Sequence, residues 1–451
     1  MQEYSAIIKC SQAPKYSSRK RWTSNSAMLI YDPLLPFGTI DLVAAPVGLR
    51  LERNVLVLGL SSMVATFGAY TWTYFLPLYF SHDFGSPAAV IGLVYTAWLL
   101  MIGVGAAPAG ALADKYGRKI IVVLAGIISS LGVFLLAFSH SFVLSAIAFP
   151  LTGLGTSFLS VQNVMVAESV DAKKRGSAFG NFLTLTYVLR SISPLIGGVL
   201  LTNNQTYFFP LFLFGGAMAL LATTVRAVFA HETLPTSERE IAPKTGDKRT
   251  SYLHNLSQVF NNRILLTLML VYSLYNLFID QGSYILPLYG QYQLSLNPET
   301  LGILFAVITA VSGFAPLYFG RMADRIGRRR TVIISWIGES LAIFIFVFAP
   351  LGDLSIAILG VAVWSMFGVM DGPAVNAWLA DATDAKGRGL SMGSFYSAAL
   401  LVAVPFFSVA GFLYEIDPKY PFYANSILGI CALIALISLT RPKINRPLEK
   451  T

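Results

Sequence analysis

Four charged residues lie deep inside apolar stretches of the chain, and their types suit binding and proton chemistry. They are Arg190, Asp280, Glu339 and Asp371. A charge at the centre of a membrane helix costs at least about 2.5 kcal/mol, so each should face a cavity or a partner. Arg190 is a fixed cation, because a guanidinium keeps its proton. Asp280 and Asp371 are able to bind and release a proton, and we expect at least one of them to do so.

The sequence leaves two roles open for Arg190. Its planar guanidinium suits a carboxylate or phosphate on a bound solute. It equally suits a structural ion pair with Asp371 or Asp280. Polar and aromatic residues near the level of these charges predict a pocket for a small organic solute. Those predicted to line the pocket are Tyr70, Tyr74, Asn163, Asn276, Gln281, Tyr284 and Asn376.

A second set of charges recurs at fixed spacing. The stretch GALADKYGRK at 110–119 shares Gly, Ala-Asp and Gly-Arg with GRMADRIGRR, which begins 210 positions later at 320. Further on, ESVDAKKRGSAFG at 168–180 matches DATDAKGRGLSMG at 381–393, now shifted by 213 positions. A shift that is nearly constant over so long a stretch indicates an internal repeat of several helices.

Twelve apolar runs must position these residues. Only 12% of the residues are charged, against about 25% in soluble domains, so most of the chain is expected to lie in lipid. Each run approaches or exceeds the roughly 20 residues that a membrane-spanning helix needs. The predicted spans 1 to 12 cover 55–80, 88–111, 120–138, 142–167, 178–201, 207–228, 264–290, 298–319, 331–349, 354–380, 390–413 and 421–440.

The distribution of Lys and Arg predicts the orientation. These residues concentrate in 1–54, in the links after the even-numbered spans and in the tail after span 12. Cytoplasmic loops carry this excess, so the sequence predicts a multi-pass protein of the cell membrane with both termini cytoplasmic. The net charge of +9 is thereby explained by topology, without nucleic acid as a partner.

The sequence shows no residue pattern for metal binding, ATP binding or enzyme catalysis. The four histidines show no metal-ligand spacing, and no Gly-x4-Gly-Lys phosphate loop occurs, so we expect neither a metal site nor ATP as a partner. No nucleophile stands beside a base, and we expect no enzyme activity and no cofactor.

The doubled motif in a twelve-span chain resembles the major facilitator superfamily of secondary transporters. The resemblance covers about residues 54 to 440 and implies an all-α membrane fold of two parallel six-helix repeats. SISPLIGG at 191–198 and HETLP at 231–235 are also similar to stretches of proton-driven drug antiporters. Against this, Phe149 occupies the place where the fourth helix of such antiporters carries an arginine. In this family span 9 is usually peripheral, so Glu339 is predicted to be a structural or interfacial acid.

The resemblance also implies a gating role for the repeated charges. Asp114 would bind the N-terminus of span 11 and Asp324 that of span 5, because helix N-termini attract carboxylates. Arg118 would reach Glu168 or Asp171, and Arg328 would reach Asp381 or Asp384. A latch of this kind holds the two halves together and breaks when the cavity opens. The predicted gating residues are Gly110, Asp114, Gly117, Arg118, Glu168, Asp171, Arg175, Gly320, Asp324, Gly327, Arg328, Asp381, Asp384 and Arg388.

The predicted domains are a tail at 1–54, a first half at 55–230, a linker at 231–262, a second half at 263–440 and a tail at 441–451. The sequence predicts a transporter that moves a small organic solute by alternating access, with protons and the lipid bilayer as its other partners. We expect proton-coupled export. The alternative is proton-linked uptake of an organic anion or a sugar, and a more remote alternative is a membrane receptor that binds its ligand without moving it.

Overall fold

The computed structural model describes residues 39–41, 50–171, 175–203, 208–234, 263–277, 282–382 and 388–439. The chain forms two compact units, residues 1–51 and 52–451. Strands Thr39–Asp41 and Arg50–Glu52 form a small sheet that the sequence pattern did not predict. Three predicted site residues lie outside the described residues: Asp280, Gln281 and Asp384. So do most of the predicted linker and the tail at 441–451.

Helices make up the second unit, and the predicted twelve-span, all-helical architecture is confirmed. Within the described residues, eleven spans are long and apolar enough to cross a membrane, and span 7 contributes the shorter apolar helix Leu266–Asn276. Five spans are divided into segments, which cover Arg53–Tyr70, Thr73–Phe75 and Leu76–Phe84 (span 1), Phe142–Phe158 and Ser160–Glu168 (span 4), Arg175–Val188 and Ser193–Asn203 (span 5), Arg263–Asn276 and Gly282–Tyr292 (span 7), and Leu354–Gly368 and Asp371–Ala382 (span 10).

The other seven spans are single helices. They run over Ala88–Tyr116 (span 2), Arg118–Ala137 (span 3), Phe209–Phe229 (span 6), Pro298–Ile326 (span 8), Arg328–Val347 (span 9), Arg388–Ile416 (span 11) and Tyr420–Leu439 (span 12). Spans 2 and 8 end at equivalent glycines, Gly117 with φ 104° and Gly327 with φ 91°. Other residues rarely adopt such φ values, which explains why the repeated motif carries glycine at both turns.

Helix packing repeats from one half to the other. Span 3 packs on spans 4 and 6, and span 9 packs in the same way on spans 10 and 12. Span 1 packs on span 6 as span 7 packs on span 12. Between the halves, span 2 packs on span 11 and span 5 on span 8. The internal repeat of the sequence is therefore a repeat of structure.

Glycines allow the backbones to approach closely where the halves cross. A Cβ added at Gly198 of span 5 would lie 3.1 Å from the Cα atoms of Glu299 and Gly302 in span 8. A Cβ added at Gly411 of span 11 would lie 2.7 Å from the Cα of Ala89 in span 2. Gly198 and Gly411 are 213 positions apart, the shift of the second repeated motif. Both crossings therefore use the same position of the repeat.

Contacts between the halves concentrate at one end of the bundle. We call it the Gly85 end, because the link between spans 1 and 2 turns there, and we call the opposite end the Gly117 end. At the Gly85 end, Ser81 and Tyr292 hydroxyls lie 2.9 Å apart across the halves. Toward the Gly117 end, a Cβ added at Gly110 or Gly180 would meet no heavy atom within 4 Å. The described hydrogen bonds therefore hold the two halves together at the Gly85 end.

We predict that Gly198→Ala destabilises the protein by about 1 to 3 kcal/mol, because the added methyl overpacks the crossing with span 8. Gly180→Ala in the same span is the matched control, since a methyl there meets open space and alanine favours a helix. The measurement is the thermal unfolding midpoint of each purified variant in detergent. Equal midpoints for the two variants would contradict the tight crossing.

Candidate functional site

Arg190 lies in a break of span 5, and the sequence explains the break. Pro194 has no N–H, so the carbonyl of Arg190 lacks its usual helical donor four residues on. Proline is tolerated in the first turn of a helix, where an N–H would lack an intrahelical partner, and the second helix of the span begins at Ser193, directly before Pro194. The interruption places Arg190 about midway along the span, just after the helix that ends at Val188. A cation is stabilised there by the negative end of the helix dipole.

Tyrosine rings surround the guanidinium of Arg190. Its Cζ lies 3.8 Å from the centre of the Tyr70 ring and 4.6 Å from that of Tyr187. Tyr74 makes a further side-chain contact with it. The Nε of Arg190 is buried without a hydrogen-bond partner, and no carboxylate of the described residues lies within ion-pair distance. Cation–π contacts stabilise the charge but leave hydrogen-bond donors available to an anion.

The second half of the protein reaches this cluster through Tyr74. The Tyr74 ring stacks on Phe305 of span 8, with ring centres 4.4 Å apart and planes within 2° of parallel. The Tyr74 hydroxyl lies 3.4 Å from Oγ1 of Thr309. We call Arg190, Tyr70, Tyr74 and Tyr187 the arginine cluster. It lies where spans 1, 5 and 8 meet, so both halves contribute to its surroundings.

The buried acids form a separate group in the second half. Asp371 begins the second helix of span 10, and its Oδ2 accepts a hydrogen bond from Nε1 of Trp336 at 3.0 Å. Glu339 accepts one from the hydroxyl of Tyr275. The Tyr275 ring stacks on Trp336 with centres 4.1 Å apart, so the two acids share one aromatic pair. An ion pair between Arg190 and Asp371 is absent from the described residues.

Glu339 is buried rather than interfacial, with 3% of its surface exposed. It lies against spans 7 and 10, where Tyr275 donates to it and a Cβ added at Gly368 would lie 3.0 Å from its Oε1. A small apolar cavity adjoins this group of acids. It is lined by Leu268, Tyr272, Val332, Trp336, Val375, Trp378, Phe395 and Leu436. Trp336 thus contacts both the cavity and Asp371.

The predicted pocket residues do not all face a cavity in this conformer. Tyr284 is fully buried, donates to the carbonyl of Phe407 and stacks on Tyr95, so it packs the closed Gly85 end. Asn276 donates to the carbonyl of Tyr272 within its own helix at 2.7 Å. The repeat-related Asn163 and Asn376 are both exposed.

The arginine of each copy of the motif contacts the equivalent span of its own half. Arg118 forms an ion pair with Glu168, as the sequence predicts. Arg328 donates to the backbone carbonyl of Ala377 in span 10 at 2.7 Å. Asp324 and Asp171 are exposed, and Asp114 is partly buried. The side chains of Arg175, Asp381 and Arg388 lie outside those that the structure describes.

Glu232 is a partner of the motif to which sequence reasoning gave no role. Its two carboxylate oxygens accept from the backbone N–H groups of Arg118 at 3.0 Å and Lys119 at 3.1 Å, at the N-terminus of span 3. The adjacent His231 exchanges hydrogen bonds with the side chain of Asn54 in span 1. The HETL stretch therefore fixes the end of span 6 to two other spans. The signal was available, because Gly117 leaves the first helix turn of span 3 without a capping side chain.

Buried Arg226 of span 6 was also given no role. It donates to the hydroxyls of Ser61 at 3.0 Å and Ser62 at 3.1 Å, and Gln162 donates to the same Ser62 hydroxyl at 2.6 Å. This network joins spans 1, 4 and 6. Among the described residues, no group of three His, Cys, Asp or Glu side chains is arranged to hold a metal ion.

Comparison with known proteins identifies the family. The sequence model of the Major Facilitator Superfamily matches residues 58–315 and 282–451. Multidrug resistance protein MdtG of Proteus mirabilis is 26% identical over 62% of this chain and 68% of that protein. Tetracycline resistance protein, class H, of Pasteurella multocida is 24% identical over 74% of this chain and 82% of that protein.

A solved structure agrees with the fold. The crystal structure of the D323A mutant of nucleoside transporter NupG superposes with a TM-score of 0.70 at 14% identity, over 86% of this chain and all of that one. At this identity the likeness shows the fold and carries no argument about the solute.

We predict that Tyr275→Phe destabilises the protein by about 1 to 3 kcal/mol, because it leaves the buried Glu339 without its phenolic donor. Tyr318→Phe is the control, since that side chain is 67% exposed. Thermal unfolding midpoints in detergent measure the difference. A midpoint for Tyr275→Phe that equals the control value would show that the hydrogen bond contributes nothing to stability.

Proposed function

The chain belongs to the Major Facilitator Superfamily, and from this premise we propose that it is a secondary transporter that exports a small amphipathic organic anion in exchange for protons. The observation that carries the proposal is the arginine cluster. Its guanidinium lies at mid-depth, with contributions from both halves and no carboxylate partner among the described residues. A buried charge that the described carboxylates leave unpaired is best explained by an anion that arrives with the solute.

Alternating access accounts for the shape of the bundle. The halves, 55–230 and 263–440, would rock about the arginine cluster, so that it is open first to one side and then to the other. The conformer described above is closed at the Gly85 end. The concentration of Lys and Arg in the links of the Gly117 end supports a cytoplasmic position for that end. A conformer that is open at the Gly117 end would then take up solute from the cytoplasm.

The direction and the solute have separate support. Two relatives are named as multidrug and tetracycline resistance proteins, which favours export. The tyrosine rings of the cluster favour a solute with an apolar body, because such rings offer flat apolar surfaces. The fork of the guanidinium favours a carboxylate on that body, since the two groups match in bidentate geometry.

Asp371 is the acid that we propose for proton coupling. It is 5% exposed, and the donor that the structure records for it is the neutral indole of Trp336. Asp371 and Arg190 are not in contact, so a proton would not compete directly with the solute for the guanidinium. Protonation would instead change the relative stability of the two conformers, which is a linkage through the fold.

The motif at the Gly117 end completes the cycle in this proposal. Asp114 and Asp324 would bind the N-termini of spans 11 and 5 when that end closes, and Arg118 would keep its ion pair with Glu168 throughout. Both termini and the linker would lie on the cytoplasmic side of the cell membrane.

We predict that benzoate raises the thermal unfolding midpoint of the purified protein and that Arg190→Gln abolishes the effect. A lost charge-assisted hydrogen-bonded pair corresponds to a loss of affinity of about ten- to a hundredfold. Arg190→Lys should retain part of the stabilisation, because it keeps the charge and loses the fork. Arg325→Gln, an exposed arginine, is the control. The anion proposal is wrong if benzoate stabilises neither protein while tetraphenylphosphonium stabilises the parent and Arg190→Gln equally.

We predict that Asp371→Asn removes the response of transport to a pH gradient while solute exchange at equal pH continues. The amide occupies the same volume but carries no titratable proton. Trp336→Phe is the paired variant, since it removes the donor and leaves the acid. Accumulation of radiolabelled benzoate in everted and right-side-out vesicles measures both coupling and direction. Gradient-driven accumulation by Asp371→Asn would exclude this acid, and accumulation only in right-side-out vesicles would replace export by uptake.

A further inference from the structure

Two hydrogen bonds join the halves at the Gly85 end through helix N-termini. The backbone N–H of Ala89 in span 2 donates to Oε1 of Glu415 in span 11 at 2.9 Å. The backbone N–H of Glu299 in span 8 donates to Oγ1 of Thr202 in span 5 at 2.9 Å. In each case, the donor is the second residue of its helix and the acceptor is the residue before the last of its own.

The two bonds are the same contact made twice. Ala89 and Glu299 are 210 positions apart, and Thr202 and Glu415 are 213 positions apart. These are the shifts of the two repeated motifs. The bonds therefore follow the internal symmetry, although the two acceptors differ chemically.

Each helix gains an acceptor that its own sequence does not supply. The first N–H groups of a helix have no partner within it. Span 2 is preceded by Pro87, whose side chain cannot accept a hydrogen bond. Span 8 is capped by Asn297, whose side chain accepts from the N–H of Thr300. The N–H of Glu299 donates to the Thr202 hydroxyl. The N-terminus of span 2 therefore relies on Glu415 of the other half.

The acceptors differ in charge. The Thr202 hydroxyl donates its proton to the carbonyl of Gly198 at 2.9 Å and accepts with a lone pair. Glu415 brings a carboxylate, which the positive end of a helix dipole attracts more strongly than a hydroxyl. The close crossings at Gly198 and Gly411 bring each acceptor within reach of the opposite helix.

We propose that these two contacts form a latch that holds the Gly85 end closed, in which Glu415 contributes the larger share. Both bonds run between the halves, so both break when that end opens. The latch is the counterpart of the one predicted for Asp114. Spans 2 and 11 would each carry an acid near their last residue that binds the N-terminus of the other, one acid at each end of the bundle. The balance between conformers then depends on two competing carboxylates.

Pulsed electron paramagnetic resonance on the full-length protein tests the latch without any solute. Spin labels at His82→Cys and Leu351→Cys, in a Cys10→Ser, Cys431→Ser background, report the distance across the Gly85 end between the two halves. Glu415→Ala should raise the ratio of the long-distance to the short-distance population by about two- to tenfold, the size expected for a lost helix cap. Thr202→Val should raise it less.

The control is Asp417→Ala, which removes a charge two residues further on. The carboxylate of Asp417 accepts from the backbone of Lys419 within the same half. Glu415→Gln keeps an oxygen acceptor without the charge, so the open population should rise in the order parent, Glu415→Gln, Glu415→Ala. Any other order overturns the latch, as does an effect of Glu415→Ala no larger than that of Asp417→Ala. If Thr202→Val raises the open population more than Glu415→Ala does, Glu415 does not make the larger contribution to the latch. The result does not depend on which solute is carried.

Discussion

The contact on which the rest of the structure depends is the close crossing of backbones between the halves, span 5 on span 8 and span 2 on span 11. At Gly198 and Gly411 the absence of a side chain lets the helices approach within a distance that a Cβ would forbid. Packing of this kind stabilises membrane helices, because lipid offers no hydrophobic force between them. The crossings hold one end of the bundle closed, and the hydrogen bonds at the helix termini form there because the backbones lie so close.

Charge is distributed unequally between the halves at mid-depth. The first half carries the arginine cluster, and the second carries Asp371 and Glu339 with Trp336 and Tyr275. Each group is stabilised by its own neighbours. Aromatic rings contact the cation, and Trp336 and Tyr275 donate hydrogen bonds to the acids. Because the groups do not neutralise each other, a solute anion and a proton can bind at separate places. Any coupling between them must then pass through the relative position of the halves.

The gating motif keeps its turn in both halves, because both copies place a glycine there. Arg118 pairs with Glu168 of span 4, and Arg328 donates to the carbonyl of Ala377 in the equivalent span 10. Glu232, just after span 6, adds a carboxylate to the first copy of the motif, where it accepts from the backbone of Arg118 and Lys119. The shared glycines maintain the geometry of the turn, and Glu232 fixes the end of span 6 to the start of span 3.

The sequence by itself determined the twelve spans, the two-fold repeat and the one-sided charges, because hydropathy, period and spacing are local properties that lipid enforces on every span. It also predicted that Arg118 would reach Glu168 or Asp171, and the structure shows Glu168 as the partner. Only the tertiary structure decided that Asp371 binds Trp336 and not Arg190, that Tyr284 is buried and that Ala89 meets Glu415. Those outcomes depend on which helix faces meet and in which conformer the halves lie, and residues far apart in sequence carry no local signal of either.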